Sequence, residues 1–153
     1  MTKSTSSAAR TDTSNGTRSA HPPSHQLAAD AVNAMVEKKG QDVTVIDLRE
    51  VDSVADFFVL ATGESDLQVR ALVRSVEEDL KEKHDERPWQ TEGTDHLRWA
   101  VLDYVDLVVH VFSPEKRDHY ELERLWGDAA SEVVPDEGDA QDVELLQTLT
   151  DAA

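Results

Sequence analysis

The chain has 153 residues, with 32 Asp plus Glu against 15 Lys plus Arg and a formal net charge of −17. That length is one domain of ordinary size with room for extensions, and no apolar run approaches the roughly 20 residues that span a bilayer. The acidity argues against direct, sequence-specific nucleic-acid binding, because phosphate backbones attract clustered Lys and Arg, and the absence of cysteine excludes a disulfide framework, a thiolate zinc site and a Cys nucleophile.

Residues 1–23 are rich in Ser, Thr and Ala, lack apolar periodicity and are expected to form a disordered N-terminal extension. Lys3, Arg10 and Arg18 face only Asp12 there. A Ser-rich, Arg-bearing, acid-poor stretch also occurs in organellar transit peptides, but no amphipathic face accompanies the arginines. A solvated extension on a cytoplasmic protein is the preferred reading.

Ser24 is placed to cap a helix running to about Lys39, with Leu27, Ala28, Ala31, Val32 and Met35 on one face and Gly40 as its stop. Val43–Leu48 is short, β-branched and strand-like. Asp56–Thr62 is nearly continuous in apolar residues, as in a central strand buried on both faces. Gly63 breaks it. Ser65 and Gln68 form a capping box, opening a helix with Leu72, Val76 and Leu80 on one stripe, which has ended by Pro88. After an extended piece, Trp99–Leu102 and Leu107–Phe112 are two strands joined too tightly to be anything but antiparallel neighbours. Asp118 and Glu121 form a second capping box, for a helix with Leu122, Leu125, Trp126 and Ala129 on one face. Residues 131–153 hold seven acids and no base and are expected to be a solvated acidic C-terminal tail, or else to include a short amphipathic piece at 141–149 that docks. The fold class predicted is α/β: a mixed β-sheet packed by about three helices, in one domain over residues 24–130. That middle carries −12 by itself. A salt-adapted source and an ordinary acidic protein account for such charge about equally, since screening in concentrated salt removes self-repulsion.

Chemistry is sparse. The Gly63-Glu64-Ser65 turn has the strand-to-helix shape of a phosphate cradle, but it lacks a Walker lysine and further glycines, and Glu64 and Asp66 repel phosphate. No Asp-x-Asp pair follows it on a strand, as a two-metal nucleotidyltransferase requires. Asp103 and Asp106 sit three apart in a turn. His110 shares a strand face with Val108 and Phe112, so a packed histidine is the simpler reading than a ligand. Tyr120 falls opposite the apolar face of the last helix, beside Arg117, where it either anchors an interface or folds back over the strand-to-helix junction.

The stretch DFFVLATGESDLQVRAL (residues 56–72), Glu92-Gly93, and WAVLDYVDLVVHVFSPEKRDHYELERLW (residues 99–126) together resemble the ribosomal silencing factor family, the Iojap-like proteins. The resemblance covers about residues 26–129. It implies a fold related to the nucleotidyltransferases but without their metal-binding carboxylates, no cofactor and no catalysis. It also implies binding to the large ribosomal subunit through ribosomal protein L-fourteen, and steric exclusion of the small subunit when nutrients are scarce. A homodimer through a sheet-edge strand is compatible with it. The alternative is a divergent metal-dependent nucleotidyltransferase drawing on Asp47 or Asp103. The partner-facing residues implied are Glu92, Trp99, Asp103, Tyr104, Arg117, Tyr120 and Glu123, with carboxylates for a basic protein and aromatics for apolar contact. His110 and Trp126 belong to the signature but are expected in the core. The family pattern has glycine where this chain has Val105, so valine is strained if that position needs φ > 0.

Overall fold

In a computed structural model, the residues described are 22–51, 55–94, 98–116 and 129–147. Their order is α1 (Ser24–Glu37), β1 (Gln41–Asp47), β2 (Phe57–Thr62), α2 (Asp66–His84), β3 (Gln90–Glu92), β4 (Trp99–Asp103), β5 (Leu107–Phe112) and β6 (Ala130–Val133), then 3₁₀ turns at Ala140–Asp142 and Glu144–Leu146. The strands form one mixed sheet in the order β3-β4-β5-β2-β1-β6. Only β2 and β5 run parallel; the other neighbours are antiparallel. The central pair is the apolar run and its parallel neighbour, as a strand covered on both faces requires.

Alternation along each strand sorts the side chains onto two faces. On one, Val43, Val45, Phe57, Val59, Ala61, Ala100, Leu102, Leu107, Val109 and Val111 pack beneath α1 and α2. The helices contribute Leu27, Ala31, Val32 and Met35 from α1 and Val69, Leu72, Val76 and Leu80 from α2, all buried. Each large aliphatic side chain buried there stabilises the fold by about 1.5–3 kcal/mol. On the other face, Ile46, Leu48, Leu60 and Phe112 form a separate buried cluster, joined by partly buried Phe58, Trp99 and Ala129.

The helix ends depart from the expected signals in two ways. Ser24 lies inside α1, whose N-cap is Pro23; its hydroxyl donates instead to Asp56 Oδ2 at 2.7 Å, tying the helix to the start of β2. At the other end Lys39, not Gly40, takes the left-handed conformation (φ 66°). The N–H groups of Lys39 and Gly40 donate to Val36 and Met35 carbonyls at 3.0 and 2.9 Å, a Schellman closure. Gly40 matters for space: a Cβ there would sit 3.0 Å from Leu72 Cδ2 and 3.2 Å from Met35 O. Ser65 caps α2 as expected, accepting from Gln68 N–H at 3.1 Å. The Gln68 amide reaches back to Glu64 N–H and donates to the Lys38 and Lys39 carbonyls, so it joins the start of α2 to the end of α1.

The expected boundary at residue 130 is corrected. Ala130–Val133 pairs with β1 as the outer strand β6, and Val134, Ala140, Val143 and Leu146 are buried in the helix-side core. Acidic side chains in this segment serve as local caps. Glu132 accepts from the N–H groups of Glu144 and Leu145 at 3.0 and 3.1 Å. Asp139 and Asp142 form a reciprocal capping box. Ala140 N–H donates to Asn33 Oδ1 at 2.9 Å, and Arg49, held bidentately by Asp47, also donates to Leu145 O at 3.3 Å. The docked alternative for 141–149 therefore describes the segment as far as residue 147. Residues 1–21, 148–153 and the helix expected from Asp118 through residue 128 lie outside the described residues.

Candidate protein-binding face

The pairing registers place Glu92, Trp99 and Asp103 on one face. Glu92 is opposite Val101 and Gln90 opposite Asp103, and directly paired residues in an antiparallel ladder project to the same side. Trp99 pairs with Phe112, Val101 with His110 and Asp103 with Val108. These residues occupy the face away from α1 and α2, with exposed Glu92 on the short edge strand β3 and Asp103 at the far end of β4.

Trp99 is the anchor of this face. Its ring stacks on Phe112 with centroids 5.1 Å apart, and its indole N–H donates to His110 Nδ1 at 3.1 Å. An indole only donates, so Nδ1 is the unprotonated nitrogen in that bond. His110 in turn lies 4.8 Å from Phe58 and 6.0 Å from Phe112, centroid to centroid. His110 is thus packed as expected, with the Trp99 indole as a hydrogen-bond partner. Trp99 remains only partly buried, and Glu92, paired with Val101 two positions along β4, is exposed on the same face. Aromatic side chains with a buried root and an open edge suit interface anchoring.

Asp103 has a local task. Its Oδ1 accepts from Val105 N–H at 2.8 Å, while Asp106 N–H donates to Tyr104 O at 3.0 Å. Val105 stands at the centre of that tight turn with φ 79° and is 52% exposed. A β-branched residue in this region is strained, and its side chain gains little packing in return.

Tyr104 is corrected. Expected at the partner surface, it is 2% exposed and belongs to the core beneath the helices. It continues the alternation of Ala100 and Leu102 and so projects to the opposite side from Asp103. Its hydroxyl has no hydrogen-bond partner among the described residues. Burial pushes its pKa well above the ordinary 10, and the charges of Glu77 and Glu86 push it further. Arg117, Tyr120 and Glu123 lie outside the described residues.

Among the described residues no group of His, Asp or Glu is arranged to hold a metal ion, and no helix is long and apolar enough to cross a membrane. The model of the family described as "Ribosomal silencing factor during starvation" matches residues 21–152. The chain belongs to the ribosomal silencing factor family. Similar relatives include the ribosomal silencing factor RsfS of Bacillus subtilis, 40% identical over 102 residues, covering 65% of this chain and 83% of that protein. The chloroplastic protein Iojap of Zea mays is 31% identical over 109 residues, covering 71% of this chain and 47% of that protein. A crystal structure from Chromobacterium violaceum superposes with a TM-score of 0.66 at 35% identity, covering 69% of this chain and 88% of that chain. Family membership places the chain among ribosome-associated regulators of translation, a non-enzymatic role.

Two features of this family member escaped sequence reasoning. Trp89, 69% exposed, precedes the edge strand with its N–H on Asp103 O at 2.9 Å; the signal was a tryptophan directly after Pro88, outside any apolar pattern. The strand β6 was hidden because its sequence, ASEV, is polar and belongs to an acid-rich run.

Proposed function

We propose that this protein represses translation by seating the face of its sheet opposite α1 and α2 on the large ribosomal subunit, through ribosomal protein L-fourteen, so that the small subunit is sterically excluded. The match of the family model over residues 21–152 carries the reading. The geometry supports a division of labour on that face. Trp99 supplies apolar contact from a rigid aromatic stack, and Glu92 offers an exposed carboxylate at its rim to Lys or Arg of a basic protein. Asp103 adds charge at the other end of β4. Arg117, Tyr120 and Glu123 follow β5 in sequence and complete the proposed contact set; Tyr104, being core, is removed from it. The protein acts in the cytoplasm and catalyses nothing in this account: occupancy alone produces the block.

Co-sedimentation of the full chain with purified large and small subunits tests this. Binding to large subunits only, with a cross-link to L-fourteen, is the expected result. Equal association with both subunits, or none, would refute it. A salt series on the same gradients separates the forces, since loss of binding as ionic strength rises assigns it to the carboxylates and persistence assigns it to the aromatic stack.

A further inference from the structure

The proposed contact face is acidic and aromatic; the opposite side of the same sheet edge holds the reverse chemistry. Arg70 and Arg74 stand one helical turn apart on the exposed side of α2. Neither has an ion-pair or hydrogen-bond partner among the described residues, whereas Arg49 is held by Asp47 and Lys83 lies beside Asp30 and Asp79. With Val73, Glu77, Thr91 and Thr94 they line a cavity of about 190 Å³ between α2 and β3. Thr91 faces the helix because it pairs with core residue Leu102, one position out of phase with Glu92. Thr94 is set by Gly93, whose φ of 73° and 2.0 Å approach of a hypothetical Cβ to Trp99 O admit no other residue in this turn. Two arginines of α2 and two threonines at β3 and its following turn thus border one open space from two elements.

We propose that Arg70, Arg74, Thr91 and Thr94 form a binding site for a phosphoryl group. The arginines supply charge-assisted donors suited to phosphate oxygens, and the threonines supply hydroxyl donors from the facing wall. In a chain of net charge −17, such a site depends on short range: at physiological salt, charges beyond about 8 Å are largely screened. Glu77 opposes it from within the cavity, with Asp66 and Glu78 a turn away on α2. Burial raises the pKa of the Glu77 carboxyl, against the pull of Arg74 and with the help of Glu78, so this carboxyl gives up its charge more readily than an exposed one. The site is independent of the ribosome reading and stands or falls separately from it.

An NMR titration of the full chain with inorganic phosphate, chloride being adjusted to hold ionic strength constant, is the test. Saturable shifts at the Arg70 and Arg74 side-chain Nε–H groups and the Thr91 and Thr94 amides are expected. Arg70→Gln with Arg74→Gln should weaken binding by about tenfold or more, and Glu77→Gln should tighten it by about threefold. Because all three side chains lie at the surface or its margin, unchanged melting temperatures verify the fold. Competition then identifies the source: displacement by ribose 5-phosphate assigns a small phosphate ester, and displacement by an unphosphorylated single-stranded RNA oligomer assigns a phosphodiester backbone. Non-saturable shifts, undiminished binding in the double variant, or phosphate displaced by neither competitor would overturn the proposal.

Discussion

The two faces of the sheet are built by different rules. The helix-covered face is almost wholly aliphatic, from Val43 on β1 across Val59 and Val109 to Leu102 on β4, and its helices meet it with Leu, Val, Ala and Met. The other face centres on Ile46, Leu60 and Phe112, but toward β4 it becomes an aromatic and imidazole cluster of Phe58, Trp99 and His110, bounded by carboxylates. Aliphatic packing is non-directional and tolerates exchange among similar volumes. An indole-to-imidazole bond inside stacked rings is directional and fixes one orientation of Trp99. The lesson is that the first face holds the domain together and the second holds a surface in shape.

Substitutions should separate the two. Leu72→Ala, in the fully buried stripe of α2, is expected to cost about 2–5 kcal/mol by chemical denaturation, while the protein that remains folded binds large subunits normally. Trp99→Ala is expected to cost about 2 kcal/mol or more in subunit affinity, as a central aromatic anchor does; a gradient assay showing undiminished binding would move the anchor elsewhere. Val105→Gly should raise stability by about 1 kcal/mol, because it relieves the positive φ at a half-exposed position without emptying a core site; an unchanged denaturation midpoint would show that the turn carries no strain. Tyr104→Phe should change stability by no more than about 1 kcal/mol, in the stabilising direction, since it removes a buried hydroxyl without a described partner, and it should leave subunit binding intact.

Acid and alkaline titrations sharpen the same contrast. Burial tends to raise the Asp47 pKa, but the hydrogen bonds and charge of Arg49 outweigh it and hold the carboxyl below its ordinary 3.8. A folded pKa below the unfolded one contributes stability above the unfolded value and loses it as pH falls through the folded one. Asp47→Asn should therefore flatten the loss of stability below about pH 4. Tyr104 has the opposite sign. Its raised pKa leaves stability unaffected below the ordinary 10 and erodes it as pH rises beyond, when the unfolded chain ionises first. Tyr104→Phe should reduce that alkaline loss.

Most of the helix-covered face was legible because 3.6- and 2-residue apolar periods state it directly: Leu27 through Met35, Val69 through Leu80, and Asp56 through Thr62 are where periodicity placed them. The face proposed to bear the site was legible only in part. Period-2 alternation puts Trp99 and Asp103 on one side of β4, and that survives. It also puts Tyr104 with Ala100 and Leu102 on the helix-covered side, where it is buried; the surface role came from the resemblance, against the alternation. The C-terminal segment was misread for another physical reason. Composition reads Glu132, Asp139 and Asp142 as solvated charge, whereas their carboxylates satisfy backbone N–H groups of 3₁₀ turns. Four buried apolar residues, Val134, Ala140, Val143 and Leu146, are spaced too irregularly to register as a helix or strand.

Subunit joining measured with one charge reversal on each face tests the central claim most directly. Glu92→Lys alters the edge of the proposed contact face, and Glu78→Lys makes the same change on the exposed side of α2. Purified large and small subunits are mixed with wild type or either variant, and the assembled ribosome peak is followed on sucrose gradients. Wild type and Glu78→Lys are both expected to suppress that peak, while Glu92→Lys is expected to need a several-fold higher concentration to do so. Equal suppression by all three, or weakening by Glu78→Lys alone, would contradict that claim.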